Sequence, residues 1–159
     1  AAITGTGEGL VTIEATTDVL VGGIVLTRTT NTAGNGDNAV KTYVDASISL
    51  TPLSDVNDLD FDAEHTLTAT VTTSEGVAPD GTEVFFTEVS GPATPTGGTC
   101  TTTGGYCDFT ITGTGAGDVT IAATTNVAVG GITLTRTTDG IGNNSDNAGL
   151  FLAIRQFTR

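Results

Sequence analysis

Residues Ile3 to Asn31 (ITGTGEGLVTIEATTDVLVGGIVLTRTTN) return at Ile111 to Asp139 as ITGTGAGDVTIAATTNVAVGGITLTRTTD, with 22 of 29 positions identical at a constant offset of 108. Self-similarity at a fixed period marks a repeat unit, and such units bury their apolar faces against neighbours. The 159 residues therefore hold a little under one and a half copies of one module. The phase constrains the fold as much as the period does. The first copy starts partway through the module, so these residues open on the back half of a domain. A half domain cannot bury its own apolar face. Its missing strands are expected from another molecule or from sequence outside these residues.

Local patterning points to strands throughout. The 22 glycines, the many threonines and a charged fraction of only 14% suit short strands joined by tight turns, and no stretch carries a sustained 3.6-residue apolar period. His65 to Thr73 (HTLTATVTT) alternates cleanly, with Leu67, Ala69 and Val71 on one face. Asp118 to Thr125 does the same with Val119, Ile121 and Ala123. Ala46 to Leu50 alternates and stops at Thr51-Pro52, as an edge strand does. Gly130-Gly131, and Gly22-Gly23 in the first copy, lie between alternating apolar segments. A type I′ hairpin turn needs two residues at positive φ, so each pair marks a hairpin. The polar stretch Leu53 to Glu64 reads as a connection.

These signals predict an all-β fold: an immunoglobulin-like antiparallel sandwich with Greek-key connections, whose usual length matches the repeat. Residues 1–44 are read as the C-terminal part of one repeat, incomplete and in need of complementing strands. Residues 45–159 are read as a complete repeat ending in a strand and tail. Only one or two residues separate VKTYV from ASISL, which predicts a stiff joint and an elongated rod.

Five basic against 18 acidic residues give a net charge of −13. That excludes nucleic acid, because nothing here neutralises phosphates, and it disfavours an anionic membrane. No apolar run approaches the roughly 18 residues that span a bilayer, so no membrane insertion is expected. Cys100 and Cys107 sit in TCTTTGGYC with Gly104-Gly105 between them. This spacing predicts a disulfide across a hairpin, and with it an oxidising compartment.

The segments VKTYVDASISLTP, EHTLTATV, APDGTEVFF, SGPATP, GGTC and GGITLTRTT together resemble the tandem repeats of the bacterial Ig-like, or invasin-like, group. The resemblance covers nearly the whole chain and keeps its order and spacing. It implies a sandwich used as a spacer or assembly unit in large surface or secreted proteins, including adhesins and surface filaments. Two departures stand out: the acidity of Leu53 to Glu64, and a final strand that reads GLFLAIRQFTR in place of VKTYVDASISL.

Candidate sites are few. Asp55, Asn57, Asp58, Asp60 and Asp62 form the densest run of oxygen ligands. Calcium is the cation such a run would suit, although the glycine and distal glutamate of an EF-hand loop are missing; a solvated acidic loop is the plainer account. No other cofactor is expected. His65 is the only histidine, and no motif places a nucleophile beside it, so the chain is read as no enzyme. Lys41, the only lysine, has Leu150 as its counterpart, and plain solvent exposure accounts for it.

The expected function is structural: an extracellular or cell-surface module that builds a stalk, fibre or filament. Its partners would be identical repeats, joined end to end or by strand completion. Val11, Ile13, Val19, Val21, Ile24 and Leu26 are the expected contact residues of the half module, with Phe151 and Phe157 near the C-terminal end. The alternatives are an adhesin module gripping a glycan or a host-surface ligand, with Phe61 and Tyr106 as candidate platforms, and a calcium-stiffened extender in a large adhesin.

Overall fold

The computed structural model describes residues 2–60 and 63–154. No helix occurs among them, and the strands fall into two units, residues 1–44 and residues 45–159.

The first unit contributes β1 (Gly9–Ile13), β2 (Thr16–Val21), β3 (Ile24–Thr29) and β4 (Ala39–Tyr43). The second begins with β5 (Ala46–Thr51), β6 (Ser54–Asp58), β7 (Glu64–Thr73), β8 (Gly76–Val77) and β9 (Glu83–Ser90). It continues with β10 (Ala93–Thr94), β11 (Gly97–Thr101), β12 (Tyr106–Gly113), β13 (Gly117–Val129), β14 (Ile132–Thr137) and β15 (Ala148–Ala153).

In the second unit one sheet runs β10-β12-β7-β5, with β8 beside β7. The other runs β11-β9-β13-β15-β6, with β14 beside β13. All pairings are antiparallel except β6 with β15. This is an immunoglobulin-like sandwich, in which the leading strand is shared between the two sheets. The switch falls at Pro52, which lacks an N–H for a ladder: the chain leaves the first sheet after β5 and joins the second as β6. Period-2 alternation then sends Ile48, Leu50, Leu67, Val71, Ile111, Val119, Ile121 and Leu152 into one buried core. Phe86 and Phe109 stack across it, with ring centroids 4.5 Å apart.

Two expectations are revised. Ser54–Asp58, within the stretch read as an acidic connection, is strand β6. Its inward positions carry Asp55 and Asn57 rather than apolar residues, so it shows no hydrophobic alternation. The disulfide Cys100–Cys107 is present, with Cα atoms 5.9 Å apart, but it does not lie across a two-stranded ladder. β11 pairs with β9 and β12 pairs with β7, so the bond ties one sheet to the other. The tight reversal at Gly104-Gly105 is spanned only by the isolated Thr103–Tyr106 bridge.

The first unit reproduces the pairing register of the back of this sandwich, but as two two-stranded sheets, β1-β4 and β2-β3, where the second unit has the continuous β13. β2 pairs with β3 in the register of β13 with β14, and β1 pairs with β4 in that of β13 with β15. The Thr30 N–H donates to the Ala15 carbonyl as Thr138 does to Ala123, both at 3.0 Å. The Thr30 hydroxyl donates to Asn38 as the Thr138 hydroxyl does to Asn147. Both Gly-Gly turns have φ near 55–81° at their two residues, a region that L side chains avoid. A Cβ on Gly5 would come within 2.6 Å of the Tyr43 ring, as one on Gly113 would come within 2.8 Å of Leu152.

Candidate functional site

The feature with the clearest functional content is the face of β1–β4 that corresponds to the core face of β13–β15. Successive strand residues point to opposite sides. Hence Val11, Ile13, Ala15, Thr17, Val19 and Val21 occupy the positions held inward by Val119, Ile121, Ala123, Thr125, Val127 and Val129. All six are identical between the copies. Of the seven differences in the 29-residue repeat, those between Gly9 and Val21 (Leu10, Glu14, Asp18 and Leu20) all fall on the other side.

Identical residues meet opposite surroundings. Val127 and Val129 are 0% and 2% exposed, whereas Val19 and Val21 are 44% and 54% exposed. Val11 and Ile13 are half-buried where Val119 and Ile121 are buried, whereas Ile24 and Leu26 match their counterparts, Ile132 being exposed and Leu134 half-buried. In the closed copy the fully buried Thr125 hydroxyl donates to the Glu83 carbonyl of β9 at 2.7 Å. Thr17 is exposed, with no such strand beside it among the described residues.

The closed copy also shows how its leading strand is fastened. Arg136 Nε donates to the Ala46 carbonyl at 2.6 Å, and its Nη2 pairs with the Asp45 carboxylate. Ser145 Oγ accepts the Leu50 N–H at 3.1 Å, and Asn144 Oδ1 accepts that of Ile48. The Arg136 guanidinium, helped by the Ala46 N–H, holds the Asp45 carboxyl below its ordinary 3.8, against the opposing effect of partial burial. A depressed folded-state pKa stabilises the fold above the unfolded value and ceases to do so as pH falls through the folded one. Asp45 is 41% exposed, so screening keeps the contribution below about 1 kcal/mol. Asp45→Asn is thus expected to lower the urea midpoint slightly at pH 7. The gap from the parent should close as pH drops below 3.8; a gap that persists unchanged at lower pH would show that this ion pair is not its source.

Arg28, the counterpart of Arg136, keeps the homologous bond to its neighbour, with Nη1 on the Thr27 carbonyl at 3.1 Å. Among the described residues no carboxylate faces it. β4 differs more from its counterpart. Lys41 and Tyr43 stand opposite Val11 and Gly9, where the closed copy has Leu150 and Leu152 opposite Val119 and Gly117. Lys41 is exposed, as sequence suggested, but on the inward-type side; Nζ lies 5.9 Å from the Tyr43 ring centre.

The remaining candidates are scattered. On β6, pleating separates Asp58 from Asp55 and Asn57. Asp55 Oδ2 lies 3.7 Å from Nδ1 of the buried His65, and Asn57 Nδ2 donates to the Glu64 carbonyl. Asp58 Oδ1 accepts the Asp60 N–H. No three His, Cys, Asp or Glu side chains converge among the described residues. Asp62, Phe61 and Phe157 lie outside those residues. Tyr106 is exposed beside the Gly104-Gly105 reversal, and Phe151 is exposed opposite Val56 on the outer face of the second sheet.

No family model and no curated protein matches the chain. Among solved structures it is similar to one described as the D00-D0 domain of Intimin, with 25% identity over 70% of this chain and a TM-score of 0.42. The chain spans 60% of the length of that structure. The sandwich assignment stands on strand order and pairing, which are those of an immunoglobulin-like domain.

Proposed function

We propose that the chain is a non-catalytic structural module of an extracellular surface, from which a stalk, fibre or filament is built by end-to-end joining. One observation carries the reading: residues 11–21 keep all six inward side chains of a closed sandwich, and among the described residues no second sheet covers them. An uncovered sheet with free edges is a template for strand addition. The open face and the strands that fill it are different surfaces, so the joint is heterologous, the kind of contact that builds an open filament where its rotation does not close a ring. A disulfide between the sheets suits an oxidising compartment, and the net charge of −13 suits an extracellular, nucleic-acid-free setting.

Negative-stain microscopy and light scattering of the chain, beside a version lacking residues 1–44, test the reading. Extended assemblies from the whole chain that vanish on truncation are expected. Monomers in both samples at high concentration would reject assembly through this face.

A further inference from the structure

We propose that the face of β1–β4 seats an acidic front half-module of the residues 45–110 type. Two ion pairs would hold it: Arg28 to the counterpart of Asp45, and Lys41 to the counterpart of Asp55. The proposal rests on the reading above in one respect only, that strands complete this face.

The closed copy supplies the geometry. There, the surface equivalent to β1–β4 is covered by β5, β6, β7, β9 and β12, all from residues 46–113. Because the six inward residues of β1 and β2 and the segment between them are unchanged, a cover shaped like that one fits without repacking along this stretch. Arg28 stands opposite Thr17 as Arg136 stands opposite Thr125. A seated front half would therefore bring its own Asp45 and Ala46 to Arg28.

Lys41 supplies independent support. Leu150, its counterpart, is aligned with Asp55 on the adjacent parallel strand β6. Residues aligned across a ladder share a face. A lysine in place of Leu150 thus lies beside a half-exposed carboxylate at the rim of the sandwich, where a long side chain can bury its stem and keep its charge wet. Arg28 and Lys41 are the only two basic residues before position 45, and both occupy the inward side, while Glu14 and Asp18 occupy the outward side. The half-sandwich is therefore basic towards its cover and acidic towards solvent. The cover it suits is acidic where its leading strands meet this rim, as the second unit is at Asp45 and Asp55. A copy of the chain offers these strands only if they leave its own β13–β15, so self-assembly through this face is an exchange of front strands between copies.

The 108-residue offset dictates the test. Ile3 is the counterpart of Ile111, so residues 45–110 are placed directly ahead of Ile3 and the rest of the chain is left unchanged. Amide hydrogen exchange across residues 9–43 is compared with the parent chain. Closure should slow exchange by about a thousandfold, as expected when a locally open sheet becomes part of a cooperative domain. Arg28→Asp should then lose roughly tenfold of that protection. Reversing the partner as well, with Asp45→Arg in the leading copy, should restore it. In the parent chain Arg28→Asp should change nothing.

A second spliced chain carries Lys41→Leu and Tyr43→Leu, which restores the residues of the closed copy. If this chain is protected and the first is not, the natural face is not a seat for this cover. If neither is protected, residues 9–43 are not a back half-module. Either result overturns the proposal. Assemblies seen by microscopy without protection in the spliced chain would retain the assembly reading and remove this occupant. Protection in the spliced chain, with only monomers from the parent, would do the reverse.

Discussion

Ile121→Ala is expected to destabilise the second unit by about 3 kcal/mol, whereas Ile13→Ala, the same substitution at the same repeat position, should cost less than about 0.5 kcal/mol. The side chains are identical and so are their local pairings: Ile121 is aligned with Ala148 and Ile13 with Ala39. What differs is the opposing sheet. Ile121 is 2% exposed and packed into the core, so truncation removes buried methyl groups and leaves a cavity that the rigid sheets fill only partly. Among the described residues no second sheet lies over Ile13, and water takes the place of the lost methyls. Urea denaturation followed by circular dichroism reads both, with hydrogen exchange assigning the loss to the correct copy. Equal losses at the two positions would mean that the first unit is as well covered as the second. In the spliced chain described above, the Ile13 penalty should rise towards that of Ile121.

The second large effect concerns the bond between the sheets. Replacing Cys100 and Cys107 with alanine is expected to cost about 2.5 kcal/mol by the loop-closure estimate for so short a loop, or roughly 10 °C in the melting temperature of a unit this size. The sequence separation of 7 puts the entropic effect at the small end of the usual range. The location adds a second consequence. The bond joins β11, at one edge of its sheet, to β12 in the other, so its loss frees that edge rather than loosening a hairpin. Exchange in β11 should therefore accelerate more than exchange in β13, which is paired on both sides by β9, β14 and β15. Uniform acceleration across the sandwich would show that the bond acts only through the unfolded chain.

Much of the architecture is legible in local pattern. Alternation at Leu67-Ala69-Val71 and Val119-Ile121-Ala123 identifies the inward faces, and Gly130-Gly131 identifies the hairpin. The repeat offset identifies where the first copy stands in the module. The features that escape are those decided by which distant strand lies alongside. Nothing near Cys100 tells that its strand pairs with β9 while that of Cys107 pairs with β7. Asp55 and Asn57 look like loop residues until β6 is laid parallel to β15, which makes them inward neighbours of Leu150 and Leu152. For the same reason the run from Asp55 to Asp62 looks like a ligand cluster in sequence, although pleating divides its described members. Arg136 could have been singled out because Arg28 repeats it, but its carboxylate lies 91 residues away, where no local rule points. Lys41 looks like a surface lysine because its inward placement follows only from its pairing with Val11.

The sameness of the two inward faces also bears on how such a chain reaches its native state. While the front strands of a sandwich are still open, β1–β4 and β13–β15 present them with nearly the same surface, and neighbouring repeats of this kind are prone to misassembly. Only the last strand separates the rivals. Leu150 and Leu152 are 4% and 0% exposed in the closed copy, and burying a leucine contributes about 1.5–3 kcal/mol. Lys41 and Tyr43 offer far less apolar area of the right shape, and a rim ion pair returns at most about 1 kcal/mol. Two side chains on one edge strand thus act as a proofreading step, because they let the correct back half outcompete its near-twin for the front strands during folding.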